Sequence, residues 1–200
     1  MFYQVLMLVS FLLAGYQDVK ERLVSDYLWI PGVIAAGLAL VFMHGVDYAL
    51  ILRIVLIGGI AFAFTFFGFI GQADAIALVL VSSDPAPLAP IPVLVATGAV
   101  AIVHIGYLYA TGRAGKKRVI PLEQFRKEPK WIPKALIVNG ERKEITSDVN
   151  ISREEAEGAA GAEMVEVQYG VPQVAYIAGG YVAYLVYLAV FMPRVLLSLP

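Results

Sequence analysis

Long, unbroken apolar runs organise this chain up to Ala110, where a soluble domain would show alternating or amphipathic patterns. An α-helix needs about 20 apolar residues to cross a bilayer. A scan for such stretches predicts six helices: Phe2 to Gln17, Tyr27 to Met43, Ala49 to Phe67, Phe69 to Val81, Ile91 to Ala110 and Val174 to Leu197. The fourth is short, since about 13 residues rising 1.5 Å each make roughly 20 Å of helix. It is expected to line a cavity, or to follow a Gly68 to Gly71 segment at membrane depth, where irregular backbone is tolerated only against protein or water. The first run also admits a reading as a cleaved secretory signal ending near Ala14 and Gly15. It lacks a basic leading region and five further runs follow, so a retained span is expected.

Between the fifth and sixth runs the pattern changes. The segment Thr111 to Gly170 holds 11 of the 15 basic and 10 of the 16 acidic residues, and its apolar positions are scattered. It predicts a small cytosolic α+β insert. Ala135 to Val138, then Asn139-Gly140, then Glu141 to Thr146 signals a hairpin, because Asn-Gly suits the two positive-φ positions of a type I′ turn. Ser152-Arg153-Glu154-Glu155 fits a capping box at a helix start, Met164 to Tyr169 alternates like a strand, and Gly170 and Pro172 mark a hinge into the last span. The expected fold class is therefore an α-helical polytopic membrane protein of six transmembrane helices, with an α+β insert between helices 5 and 6. Its parts are 1–111, 112–170 and 171–200. At about 60 residues the insert is near the lower limit for folding alone and is expected to lean on the helices or on headgroups.

Composition narrows the function classes. The 200 residues are 60% hydrophobic and 16% charged, with mean hydropathy +0.75, far from an ordinary soluble domain. A net charge of -1 provides no field for collecting nucleic acid. With no cysteine and two distant histidines, His44 and His104, neither a disulfide framework nor a soft-ligand metal site is expected, and no cofactor. Lys20 and Arg22 lie in the first loop, none in the loops at His44 to Tyr48 and Ser82 to Pro90, and eleven in the polar segment. Positive charge stays cytoplasmic, so both termini are expected outside a plasma membrane and the insert inside. Arg53 and Arg194 fall near outer helix ends, where long side chains snorkel.

Asp18 and Asp74 read as the only acids bordering on or inside the apolar runs. An ionisable group in hydrocarbon is costly and is a functional candidate by default. Under the predicted topology Asp18 closes the first helix and Asp74 opens the fourth at the same inner face. If those helices pack side by side, two close carboxylates share one proton. That is the state acid–base hydrolysis of a peptide bond requires.

The residues around both aspartates carry a resemblance. Asp18-Val19-Lys20-Glu21-Arg22-Leu23-Val24-Ser25-Asp26 after a first transmembrane helix resembles the Asp-x-Lys-x-Arg segment of type IV prepilin peptidases, and Gly71-Gln72-Ala73-Asp74 is similar to their Gly-x-Gly-Asp motif. Together with the six-run layout they resemble the GxGD membrane aspartyl proteases, the archaeal preflagellin peptidase branch in particular. The departure is Ala73, where the motif has glycine. The resemblance implies catalysis by Asp18 and Asp74, support from Gly71, Gln72 and Ala73, and preflagellin or prepilin precursors as partners. Their short basic leader would be removed at the cytoplasmic face.

Other residues keep two readings. Glu21 and Asp26 either attract a basic leader or, the better expectation, pair with Lys20 and Arg22. Pro172 either lines a substrate cleft or, as preferred, starts a helix. His104 either relays protons to the dyad or makes a packing hydrogen bond, the latter favoured. Gly58-Gly59 and Gly179-Gly180 suit close helix packing. The competing function is a proton- or cation-coupled transporter using Asp18 and Asp74, which would place polar groups through the membrane depth. A third reading is a scaffold whose acids merely cap helices.

Overall fold

The computed structural model describes residues 2–42, 48–86, 89–113, 117–145, 149–159 and 161–197. It is mostly helical. The six apolar helices are α1 (Phe2–Glu21), α2 (Ile30–Phe42, preceded by a single 3-10 turn Asp26–Trp29), α3 (Tyr48–Phe66), α4 (Gln72–Ser82), α5 (Pro90–Ala110) and, after the polar segment, α8 (Gln173–Leu197). Four of them, α1, α3, α5 and α8, are long and apolar enough to cross a membrane, while α2 with its leading turn and α4 are shorter. The outward faces of α3 and α5 expose Leu52, Phe62, Ile102 and Val103, which is compatible with a membrane-embedded protein.

α8 is the central helix and packs on α1, α5 and α4. Small residues permit these approaches. A Cβ added at Gly180 would stand 2.2 Å from Thr97 Oγ1 and 2.5 Å from the Val93 carbonyl of α5, so only glycine fits that crossing. Gly15 plays the same part on α1, where an added Cβ would meet Ala178 at 3.0 Å. Of the expected packing glycines, Gly179 and Gly59 face open space and Gly58 has only Val79 at 3.5 Å, so Gly180 alone of the four is sterically required. The core between these helices holds Met7, Phe11, Trp29, Leu80, Val93 and Tyr181, with the Phe11 ring 5.0 Å from that of Tyr181.

α3 stops at a glycine cap. Gly68 adopts φ 74, and the Phe69 N–H reaches back to the Phe64 carbonyl at 2.8 Å, a helix-ending motif that needs the left-handed residue glycine supplies. The chain then turns directly into α4.

The polar segment folds around a four-stranded antiparallel sheet, β1 (Arg118–Pro121), β2 (Trp131–Val138), β3 (Glu141–Glu144) and β4 (Ala162–Tyr169), in the order β1-β4-β2-β3. Helices α6 (Leu122–Lys127) and α7 (Val149–Gly158) accompany it, and Ile120, Phe125, Leu136, Ala156, Val165 and Val167 form its core. The β2–β3 hairpin has the expected turn, with φ 51 at Asn139 and 82 at Gly140. The expected capping box is corrected: α7 already includes Val149 to Ile151, so Ser152 lies within the helix and not at its start. β1 and α6 were not legible because each is too short to show a period.

Candidate active site

Asp18 sits in the last turn of α1 and is 6% exposed. Its Oδ2 accepts the Ala175 N–H at 3.1 Å. This is one of the free amides of the first turn of α8. Pro172, just before α8, has no side-chain oxygen to cap them, and its carbonyl already accepts the Tyr176 N–H at 3.3 Å. An acid from α1 therefore caps α8 from outside, where the positive end of the helix dipole favours an anion. Pro172 is buried immediately before α8, three residues from the Asp18 contact.

Asp74 lies in the first turn of α4, and its Oδ2 accepts the Gly71 N–H at 3.1 Å. Gly71 has no side chain to reciprocate, so this is a one-sided cap. Gln72 is exposed at the start of α4, and Ala73 packs against the helical core. Positive φ among the described non-glycine residues occurs at Arg22 and Asn139 alone, so Ala73 needs no glycine-like backbone.

Asp18 at the C-terminal end of α1 and Asp74 at the N-terminal end of α4 lie within electrostatic reach of each other, and among the described residues no hydrogen bond joins their carboxylates. Among the described residues Asp74 accepts through Oδ2, which leaves Oδ1 for a water or a partner. No group of three or more metal-ligating side chains occurs among the described residues.

Glu21 takes the plainer of its two readings, while the expected pairing of Asp26 with Lys20 or Arg22 is not found among the described residues. Glu21 accepts from Gln17 at 3.0 Å and pairs with Lys20 at 3.7 Å, while Gln17 also ties down Ser25 through its Oε1 at 2.8 Å. Asp26 is exposed at the start of the 3-10 turn. His104 Nδ1 hydrogen-bonds the Tyr176 hydroxyl, joining α5 to α8 one residue beyond Ala175. His44 and Arg194 lie where the structure describes no side chain.

The expectation that only two acids lie at or within the apolar helices is corrected, since Glu21 ends α1 and Asp84 lies beside α4. Asp84, two residues beyond α4, is fully buried at 0% exposure. Its Oδ1 accepts the Ala86 N–H at 2.9 Å, and the hydroxyls of Tyr181 and Tyr184 on α8 lie 3.3 and 3.5 Å from its oxygens. Arg53 of α3 donates to the backbone carbonyls of Asp84 and, at 2.9 Å, of Ala86. Arg53 is thus tied to the segment that follows α4. The missed signal was the spacing of Tyr181 and Tyr184, three apart on α8 and so on one face, matched to an acid beside prolines Pro85 and Pro87. No family model, curated protein or solved structure matches the chain.

Proposed function

We propose that the protein is a six-span membrane aspartyl endopeptidase that removes the short basic leader of preflagellin or type IV prepilin-like precursors. The observation supporting this reading is that Asp18, in the last turn of α1, and Asp74, in the first turn of α4, lie within electrostatic reach of each other. One carboxylate, as base, takes a proton from a water lying between the pair, and the resulting hydroxide attacks the scissile carbonyl carbon. The protonated partner gives its proton to the carbonyl oxygen. The gem-diol then collapses, its C–N bond breaking as the amine nitrogen is protonated and the carboxyl roles reverse. The amide bonds from Ala175 and Gly71 hold the two groups without consuming their reactivity, since each uses one lone pair of an oxygen. Lys and Arg concentrated in the insert and first loop support a cytoplasm-facing site in the plasma membrane with both termini outside.

The test is cleavage of a leader-bearing precursor by membranes containing the protein, its Asp18→Asn variant or its Asp74→Asn variant. Each substitution is expected to abolish processing while the protein still accumulates. Near-normal processing by either variant removes the dyad.

Asp84 favours a second reading, a proton-coupled transporter. About ten helical residues, or roughly 15 Å, separate it from Asp74 along α4 and beyond, so the bundle holds polar groups at two depths. Proton flux into vesicles that vanishes in Asp84→Asn, without any precursor cleavage by the parent, would establish that reading.

A further inference from the structure

We propose that Arg22 is the positioning residue of Asp18, tying its carboxylate to the insert; the proposal rests on the peptidase reading above. Arg22 follows directly on α1 with φ 59, a conformation that turns its side chain back across the helix end. Its NH1 donates to the carbonyls of Asp18 at 2.7 Å and Val19 at 2.9 Å. Its Nε donates to the carbonyl of Gly170 at 2.8 Å. One planar fork therefore grips both the backbone of Asp18 and the residue that leads into α8, whose Ala175 amide holds the Asp18 carboxylate. Side chain and main chain of Asp18 are fixed to the same junction from two directions.

The grip extends into the sheet. The Arg22 guanidinium lies 5.6 Å over the ring of Tyr169, Tyr169 meets Trp131 edge-on at 5.6 Å, and Arg118 lies 5.8 Å over Trp131. This stack crosses β1, β2 and β4 and ends on α1 beside Asp18. Gly170 makes the approach possible, because an added Cβ would stand 3.2 Å from Arg22 Cγ and 3.1 Å from Ile132 Cδ1. Lysine, a point charge with no fork, cannot span the three carbonyls and stack at once.

Arg22→Gly is the informative variant, since glycine keeps the positive φ and loses only the side chain. Gly170→Ala displaces Arg22 without altering it. Both, with Arg22→Lys, are compared with the parent by precursor cleavage and by amide hydrogen exchange of the peptide covering Val171 to Tyr176. Exchange at Ala175 is expected to accelerate in Arg22→Gly and Arg22→Lys and, less, in Gly170→Ala. The kcat is expected to fall about 10- to 100-fold with KM nearly unchanged, because misplacing a reacting group by ~1 Å costs about that much. Unchanged exchange in Arg22→Gly overturns the positioning role whatever the activity. Faster exchange with parental kcat overturns its catalytic importance. A parent that cleaves no precursor, with the exchange response as expected, overturns the peptidase reading and leaves Arg22 as the anchor of Asp18.

Discussion

Asp18 of α1 and Ala175 of α8, 157 positions apart, are joined by a 3.1 Å hydrogen bond in which the Ala175 amide donates to the Asp18 carboxylate. The same acid thus closes a helix junction and lies within electrostatic reach of Asp74. A capping role and a catalytic role make different demands on it, and substitutions separate them.

Asparagine keeps a carbonyl acceptor and caps helices about as well as aspartate, whereas alanine costs about 0.5–2 kcal/mol at such a position. Asp18→Asn is expected to retain most of the thermal stability of the parent in detergent, and Asp18→Ala to lose that increment. Precursor cleavage should vanish in both. Equal stability losses in the two variants would mean that the charge, and not the acceptor, secures α8.

Asp84 predicts a larger structural effect. Replacing it by alanine leaves the hydroxyls of Tyr181 and Tyr184 and the Ala86 N–H without this acceptor. A buried polar group left unsatisfied costs about 1–3 kcal/mol, so Asp84→Ala is expected to accumulate poorly or unfold several degrees earlier. Thermal denaturation followed by circular dichroism reads this directly.

At the crossing of α5 and α8, Gly180→Val is expected to destabilise by about 1–3 kcal/mol or more through overpacking, since its first added carbon already overlaps Thr97. Gly179→Ala, facing open space, should be neutral or gain up to about 1 kcal/mol by lowering unfolded-chain entropy. Denaturation midpoints of the two variants make the comparison.

Acid pH should loosen the insert. Hydrogen bonds from Arg142 and Lys117 hold the Glu166 carboxyl below its usual value of 4.5, with N–O distances of 3.0 and 3.1 Å. A depressed folded-state value contributes stability that is present above pH 4.5 and is lost as pH falls through the lower folded value. Neutral conditions therefore leave the sheet unaffected and strong acid weakens it. Glu166→Gln should flatten this part of the pH profile, measured by Trp131 fluorescence during denaturation in a Trp29→Phe background.

Local features were legible in the residue order. Apolar runs announced the helices, the Asn139-Gly140 pair announced the hairpin turn, and Asp74, three residues from Gly71, lies within reach of its own helix start. Such relationships span a few positions, and the periods of helix and strand express them without knowledge of the remaining fold. Helix ends were harder to place, as α7 illustrates, because a serine three residues before a glutamate also occurs inside a helix already begun.

Tertiary structure alone decided the rest. Nothing near Asp18 names Ala175 as its donor, nothing near Asp84 in its proline-flanked loop foretells full burial, and nothing in the first loop pairs Arg22 with Gly170. These contacts join segments 97 to 157 positions apart. They exist because α8 threads back between α1, α4 and α5 once glycine permits the approach, a choice made by packing whole helix faces and not by any local preference.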